Sequence, residues 1–186
     1  MNRQARRNTI QWQDNGKEVA DMWKRTAYLG VFLSCALILS YIESLIPFYF
    51  GVPGMKLGLA NLLVVLLLYL AGTKEAFAIA VLRIVLSGFL FGNLFGILYS
   101  LAGGLLSFAV MWLVKKTNKF SLISVSVCGG MSHNIGQLIV AALIADNYNV
   151  MYYMPVLLVA GIVTGFVIGI IAAELEHRLQ FLFRKE

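Results

Sequence analysis

The sequence predicts an all-α integral membrane protein, folded as a bundle of six transmembrane helices. The first observation is composition: of 186 residues, 60% are hydrophobic and 13% are charged, whereas a soluble globular domain has about 45–50% apolar and about 25% charged residues. The second is that the apolar residues fall into six stretches, most of them near the ~20 residues that cross a bilayer core of ~30 Å. Because lipid satisfies no backbone hydrogen bonds, we expect each stretch to be a helix.

The apolar stretches divide the chain into a membrane domain and two basic tails. We predict a cytoplasmic N-terminal tail over 1–26, a six-helix domain over 27–176 and a cytoplasmic C-terminal tail over 177–186. The second and third spans are short, so they either tilt little or the second is partly re-entrant. The predicted spans are Ala27–Pro47, Lys56–Ala71, Lys74–Phe91, Asn93–Val114, Ser121–Ala145 and Met151–Glu174.

The distribution of lysine and arginine predicts the orientation. Thirteen of the 15 cationic residues lie in the two tails or in the loops that join spans two to three and four to five. The opposite loops have none. By the positive-inside rule, both termini are expected in the cytoplasm of a multi-pass plasma membrane protein. This topology explains the net charge of +6 without a nucleic-acid partner, and contact with anionic membrane lipid is the alternative role for these residues.

Several polar side chains lie within the spans, mostly in their middle or outer halves. An ionisable group near the bilayer centre costs at least ~2.5–3.5 kcal/mol, so it should face a partner or a cavity. Two interpretations remain open: the groups join helices by hydrogen bonds and ion pairs, or they line a pocket that opens outward and binds a small solute such as an anion. The candidate substrate-binding residues are Glu43, Lys56, Asn61, Arg83, His133, Asn134 and Gln137.

Motifs for catalysis and for cofactors are missing from the sequence. It has no phosphate-binding G-x-x-x-x-G-K-[ST] segment, no clustered aspartates for magnesium and diphosphate, and no His/Cys spacing typical of a metal site. We therefore expect no enzymatic activity, no metal and no cofactor, and any ATPase that drives this protein has to be a separate chain.

Five segments together carry a family resemblance. They are "LSYIESLIP", "PGMKLGLANLL", "LRIVLSGFLFGN", "YSLAGGLLS" and "GGMSHNIGQL". In combination they resemble the Gx transporter family, whose members are also labelled heptaprenyl diphosphate synthase component I. The resemblance covers about Tyr28 to Ala173.

The Gx family is similar to the substrate-binding S-components of energy-coupling factor transporters, which are six-helix membrane proteins. The resemblance implies a protein that binds a vitamin-like solute on the outer side, and that works with a transmembrane coupling protein and two cytoplasmic ATPases supplied in trans. The synthase label implies an alternative, an accessory subunit in isoprenoid or quinone metabolism, or in a linked redox pathway, that acts by protein contact.

Small residues on the first span are the candidate docking face for a coupling protein. S-components often use an Ala-x-x-x-Ala face there, and the nearest matches in this chain are the pairs Gly30/Ser34 and Ala36/Ser40. A ridge of small residues is also typical of helix packing within a bundle, so both interpretations remain open for these four residues.

Overall fold

The computed structural model describes residues 3–45, 58–146 and 148–183, and over these ranges the chain is all-α. Short 3₁₀ turns at Tyr148–Tyr153 and Gln180–Leu182 precede and follow the last helix. The predicted all-α, six-helix architecture is confirmed. The helices are α1 (Arg3–Leu45), α2 (Asn61–Leu70), α3 (Thr73–Phe91), α4 (Leu94–Lys116), α5 (Leu122–Ala145) and α6 (Met154–Leu179).

Four segments of the described chain are long and apolar enough to cross a membrane: Val19–Leu45, Leu94–Lys116, Leu122–Ile144 and Asn149–Leu182. The other two helices differ from them for separate reasons. Helix α2 has only 10 residues, and α3 has 19 residues but includes three charged ones, Lys74, Glu75 and Arg83. The chain is therefore a multi-pass membrane protein.

The second helix begins later than the sequence predicted. A span from Lys56 was expected, but residues 58–60 form a turn and the helix begins at Asn61. The turn contains Gly58 with φ +75°, a left-handed conformation that glycine adopts without the steric cost of a Cβ. The first helix differs in the opposite sense, because it begins at Arg3 rather than at Ala27.

Helix α2 is the centre of the bundle. Six consecutive residues, Leu63 to Leu68, are buried, so the helix has no lipid-facing side. They belong to a core that also includes Phe32 of α1, Ala80 of α3 and Phe108 of α4. At a rise of 1.5 Å per residue α2 is about 15 Å long, about half of the bilayer core.

Two cationic side chains from other helices donate hydrogen bonds to carbonyls at the C-terminal end of α2. The ammonium group of Lys115 donates a hydrogen bond to the carbonyl of Leu68. Arg25 donates to the carbonyl of Ala71 at 2.7 Å and forms an ion pair with Glu75 at 2.6 Å. Cations are favourable at a helix C-terminus, where the last carbonyls lack partners and carry partial negative charge.

Helices α5 and α6 pack backbone against backbone. The glycines at four-residue spacing in α6, including Gly161 and Gly165, face α5 directly. A Cβ at Gly165 would lie 2.8 Å from the carbonyl oxygen of Ser126, and one at Gly161 would lie 2.8 Å from that of Gly130. Neither helix can yield there without a shift of its backbone, so these glycines of α6 have a packing role.

We expect Gly165→Ala to destabilise the protein, because the added methyl group meets the α5 backbone. Overpacking of this kind costs about 1–3 kcal/mol. Gly30→Ala is the matched control, since no described atom lies within 4 Å of a Cβ there and alanine is the better helix former by up to about 1 kcal/mol. Thermal unfolding of the purified variants measures the difference, and equal midpoints for the two variants would contradict the close α5–α6 contact.

We also expect Lys115→Met to lower the free energy of unfolding by about 1–3 kcal/mol, because it leaves the Leu68 carbonyl without its donor. The neighbouring Lys116→Met is the control. Lys116 is exposed and its ammonium group lies over the Trp112 ring, 5.4 Å from its centroid, so its loss should cost less than about 1 kcal/mol. Denaturation of both variants in the same detergent tests the ranking, which is wrong if Lys116→Met is the more destabilising change.

Candidate functional site

The turn before α2 contacts one of the predicted site residues, Glu43 of α1. Gly58 donates its backbone N–H to the carboxylate of Glu43 in α1. Glu43 is buried, with 6% of its surface exposed. A carboxylate at this depth needs hydrogen-bond donors to remain charged, and the left-handed conformation of Gly58 presents one. The carboxylate near the C-terminal end of α1 therefore contacts the turn before α2.

Arg83 of α3 approaches the same turn from the opposite wall. It is 8% exposed, and its Nη2 donates to the side-chain oxygen of Asn61 at 3.2 Å. Its Nε is buried and has no hydrogen-bond partner among the described residues. A guanidinium group has five N–H donors in a planar fork, so Arg83 has a donor available inside the bundle.

These residues line one cavity, which we name the Arg83 cavity. The space between its lining atoms is about 370 Å³, including the open mouth. Four of the seven predicted substrate-binding residues contribute to it. The lining consists of Ser40, Glu43, Gly58, Asn61, Arg83, Ile84, Ser87, Ser100 and His133.

A second cavity, which we name the inner cavity, adjoins the first. It has about 350 Å³ of space between its atoms, also including its opening. Gly58, Asn61 and His133 line both cavities, so they form the boundary between them. The remaining lining residues are Val65, Ser107, Met111, Ser126, Gly129, Gly130, Asn134, Thr164, Gly165 and Ile168.

Asn134 and Gln137 are placed differently from the other candidates. Asn134 donates through its Nδ2 to the carbonyl of Leu157 in α6 at 2.7 Å, so it joins α5 to α6, although it also lines the inner cavity. Gln137 is 2% exposed and packs against Gly103 of α4. It lines neither cavity, and its Nε2 has no hydrogen-bond partner within the described part of the chain.

The remaining sequence predictions concern Lys56 and the docking residues of α1. Lys56 lies outside the described residues. Gly30 and Ser34 are exposed on α1, whereas Ala36 is fully buried in the core and Ser40 lines the Arg83 cavity. Of the two pairs, only Gly30/Ser34 has both members on the exposed face, and the docking role stays a prediction.

Sequence reasoning missed the hydroxyl residues of the site. Ser87 and Ser100 line the Arg83 cavity, and Ser107, Ser126 and Thr164 line the inner cavity. The signal was present in part, because Ser40 lies on the small-residue face of the first span. That face was interpreted as a surface for docking or for helix packing, since hydropathy does not distinguish a serine that packs from one that lines a cavity.

The arrangement is suited to binding. It combines a buried cation with an available N–H, a buried carboxylate, amide groups and hydroxyls inside a lipid-facing bundle. Among the described residues no group of three His, Cys, Asp or Glu side chains lies close enough to hold a metal ion. Buried polar groups of this kind can form hydrogen bonds with water or with a small polar molecule.

The sequence was compared with known proteins in three ways. Comparison with curated proteins and comparison with solved structures give no match. The model of one family, described as heptaprenyl diphosphate synthase component I, matches residues 32–175. This range covers more than three quarters of the chain and includes all six helices in whole or in part. The chain therefore belongs to the heptaprenyl diphosphate synthase component I family.

Proposed function

We propose that this chain is the substrate-binding membrane subunit of a small-molecule importer of the energy-coupling factor type. Its solute is vitamin-like or anionic and binds in the Arg83 cavity. The chain binds and carries the solute, and it catalyses no reaction by itself.

One observation carries the proposal: Arg83 is buried in a cavity where its Nε has no partner within the described chain. Asn134, which joins α5 to α6, donates within the protein to Leu157, whereas Arg83 lines a cavity and keeps an Nε donor without a described partner. Keeping a buried donor without a partner costs about 1–3 kcal/mol, and a bound solute atom would remove that cost.

The position of the cavity supports transport. It lies where α2 begins, next to a turn at membrane depth. Non-helical backbone is tolerated at that depth only where protein buries it or where it lines a cavity. Transporters commonly bind their substrates at such interrupted helices.

The proposal places both termini in the cytoplasm of a plasma membrane protein, with the cavity opening outward. Lys74, Lys115 and Arg178 lie at the opposite end of the bundle from Glu43, as the positive-inside rule requires. A transmembrane coupling protein and cytoplasmic ATPases would act in trans on this end, and Gly30 and Ser34 are the exposed candidates for docking.

The family description favours a second candidate function. A component of heptaprenyl diphosphate synthase would be a membrane accessory subunit in isoprenoid or quinone metabolism, and it would act through contact with a soluble synthase or redox protein. In that case the cavity is not required to hold a solute.

Arg83→Gln tests the importer proposal. Native mass spectrometry of gently extracted wild-type protein should show a bound small molecule, and the variant should lose it. Hydrogen bonds to a charged group contribute about 1.5–3 kcal/mol, so affinity for the solute identified in this way should fall by about 10- to 150-fold. Arg178→Gln is the control, because Arg178 is exposed and pairs with Glu174 at 2.6 Å on the surface.

The outcomes separate the two functions. A solute that Arg83→Gln retains at wild-type affinity contradicts the site. Wild-type protein that carries no small molecule but co-purifies with a soluble prenyl diphosphate synthase contradicts the importer and supports the accessory subunit.

A further inference from the structure

A third cavity lies between α1, α3 and the start of α4, and we name it the serine groove. The space between its lining atoms is about 340 Å³, including its open side. Its walls are uncharged, and four of its nine lining residues are serines. The lining consists of Ser40, Ser44, Ile84, Ser87, Gly88, Phe91, Gly92, Gly96 and Ser100.

The serine groove is continuous with the Arg83 cavity. The two share Ile84 and three serines, Ser40, Ser87 and Ser100. These three serines come from α1, α3 and α4, one from each helix. Their hydroxyls therefore surround the junction between the groove and the cavity on three sides.

The groove extends from the middle of α3 to its end. Ser87 is four residues beyond Arg83 and Gly92 is nine residues beyond it, which corresponds to about 6 Å and about 14 Å along the helix axis. Gly92 and Gly96 flank the turn between α3 and α4. The groove thus connects the buried guanidinium group with the end of the bundle.

The hydroxyls of the groove suit a hydrated solute. Ser44 donates to the carbonyl of Tyr41 at 2.6 Å and Ser87 to that of Ile84 at 3.2 Å, so their oxygens present lone pairs to the groove. Ser40 differs, because its Oγ is buried and no described residue bonds to it. Its O–H is available at the junction to donate to water or to a passing anion.

Charge at the inner end of the groove decides which solute is favoured. Glu43, Arg83 and His133 are the titratable groups there. The Glu43 carboxylate accepts the N–H of Gly58, whereas Arg83 has its Nε donor available. A carboxylate or phosphate oxygen can use that donor in a charge-assisted hydrogen bond.

We propose that the serine groove is the access route by which a small anion reaches the Arg83 cavity, and that Arg83 selects for negative charge at its inner end. The inference rests on the proposed function for the identity of the cavity, but it concerns the route and the charge selection, which can be measured without knowledge of the natural solute.

Thiol labelling in lipid nanodiscs tests the route. The two native cysteines, Cys35 and Cys128, are first replaced by serine, and Ser100→Cys is then introduced at the junction. The probes are 2-sulfonatoethyl methanethiosulfonate, an anion, and 2-(trimethylammonium)ethyl methanethiosulfonate, a cation. Each rate is divided by the rate of the same reagent with 2-mercaptoethanol. Ser34→Cys, on the exposed face of α1, is the control for lipid-facing thiols.

We expect the thiol at position 100 to react with the anionic probe at least about threefold faster than with the cationic probe after normalisation, because the guanidinium group of Arg83 can donate to the sulfonate in a charge-assisted hydrogen bond. Arg83→Gln should bring this ratio to one or below, since the Glu43 carboxylate remains, and Arg83→Lys should retain a preference for the anion. The control thiol at position 34 should react slowly with both probes and show no dependence on Arg83.

Two results would overturn the inference. The thiol at position 100 fails to react while one introduced by Ser44→Cys reacts, which means that the junction is closed. Alternatively, the normalised ratio is one or lower in the protein with native Arg83, which means that Arg83 does not select for anions.

The labelling experiment tests the groove, and the solute-binding experiment tests the importer, so a negative result in one does not decide the other. A tightly bound solute together with an unreactive position 100 overturns the groove and leaves the importer intact. An anion-selective position 100 in a protein that binds no solute supports the groove and contradicts the importer.

Discussion

Both ends of helix α2 lie within the bundle, and the backbone groups at each end need hydrogen-bond partners that lipid cannot supply. A helix of 10 residues is about 15 Å long and cannot reach both surfaces of a bilayer core of ~30 Å. Its last carbonyls are therefore met by Lys115 and Arg25. Long cationic side chains that extend inward from this end of the bundle satisfy the requirement.

At the other end of α2 the same requirement produces the candidate site. Gly58 turns the chain and bonds Glu43, and Asn61 at the helix start bonds Arg83. The polar side chains that bond to the turn before α2 and to its first residue are thus the ones that line the cavity. Helix joining and the proposed solute binding, which the sequence presented as alternatives, would share residues here. Asn134, whose amide is used by the Leu157 carbonyl, belongs mainly to the first role, and Arg83, with an available donor, fits the second.

The sequence predicted the helices well, and four of its seven candidate binding residues line one cavity. Hydropathy places α3, α4 and α5 within about two residues of their observed ends. Asn93 and Ser121 precede α4 and α5, and each accepts a hydrogen bond from a backbone N–H in the first turn of its helix. The start of α2 was not predictable in this way, since the conformation of Gly58 depends on its bond to Glu43. The polar candidates followed from the cost of burying charge in lipid. The serines did not, because their role depends on contacts between helices that are distant in sequence.

The position of the cavities follows from how the helices meet. Between α4, α5 and α6 the contacts join backbones: a Cβ at Gly136 would lie 2.8 Å from the Ala102 carbonyl, and one at Gly165 equally close to that of Ser126. Such contacts leave no space at the points where they occur, and the inner cavity lies beside them, where α2 adjoins α4, α5 and α6. Between α1, α3 and α4 the small hydroxyls of Ser40, Ser87 and Ser100 line the gap that becomes the groove. Glycine thus brings α4, α5 and α6 into close contact, whereas serine lines the polar gap between α1, α3 and α4.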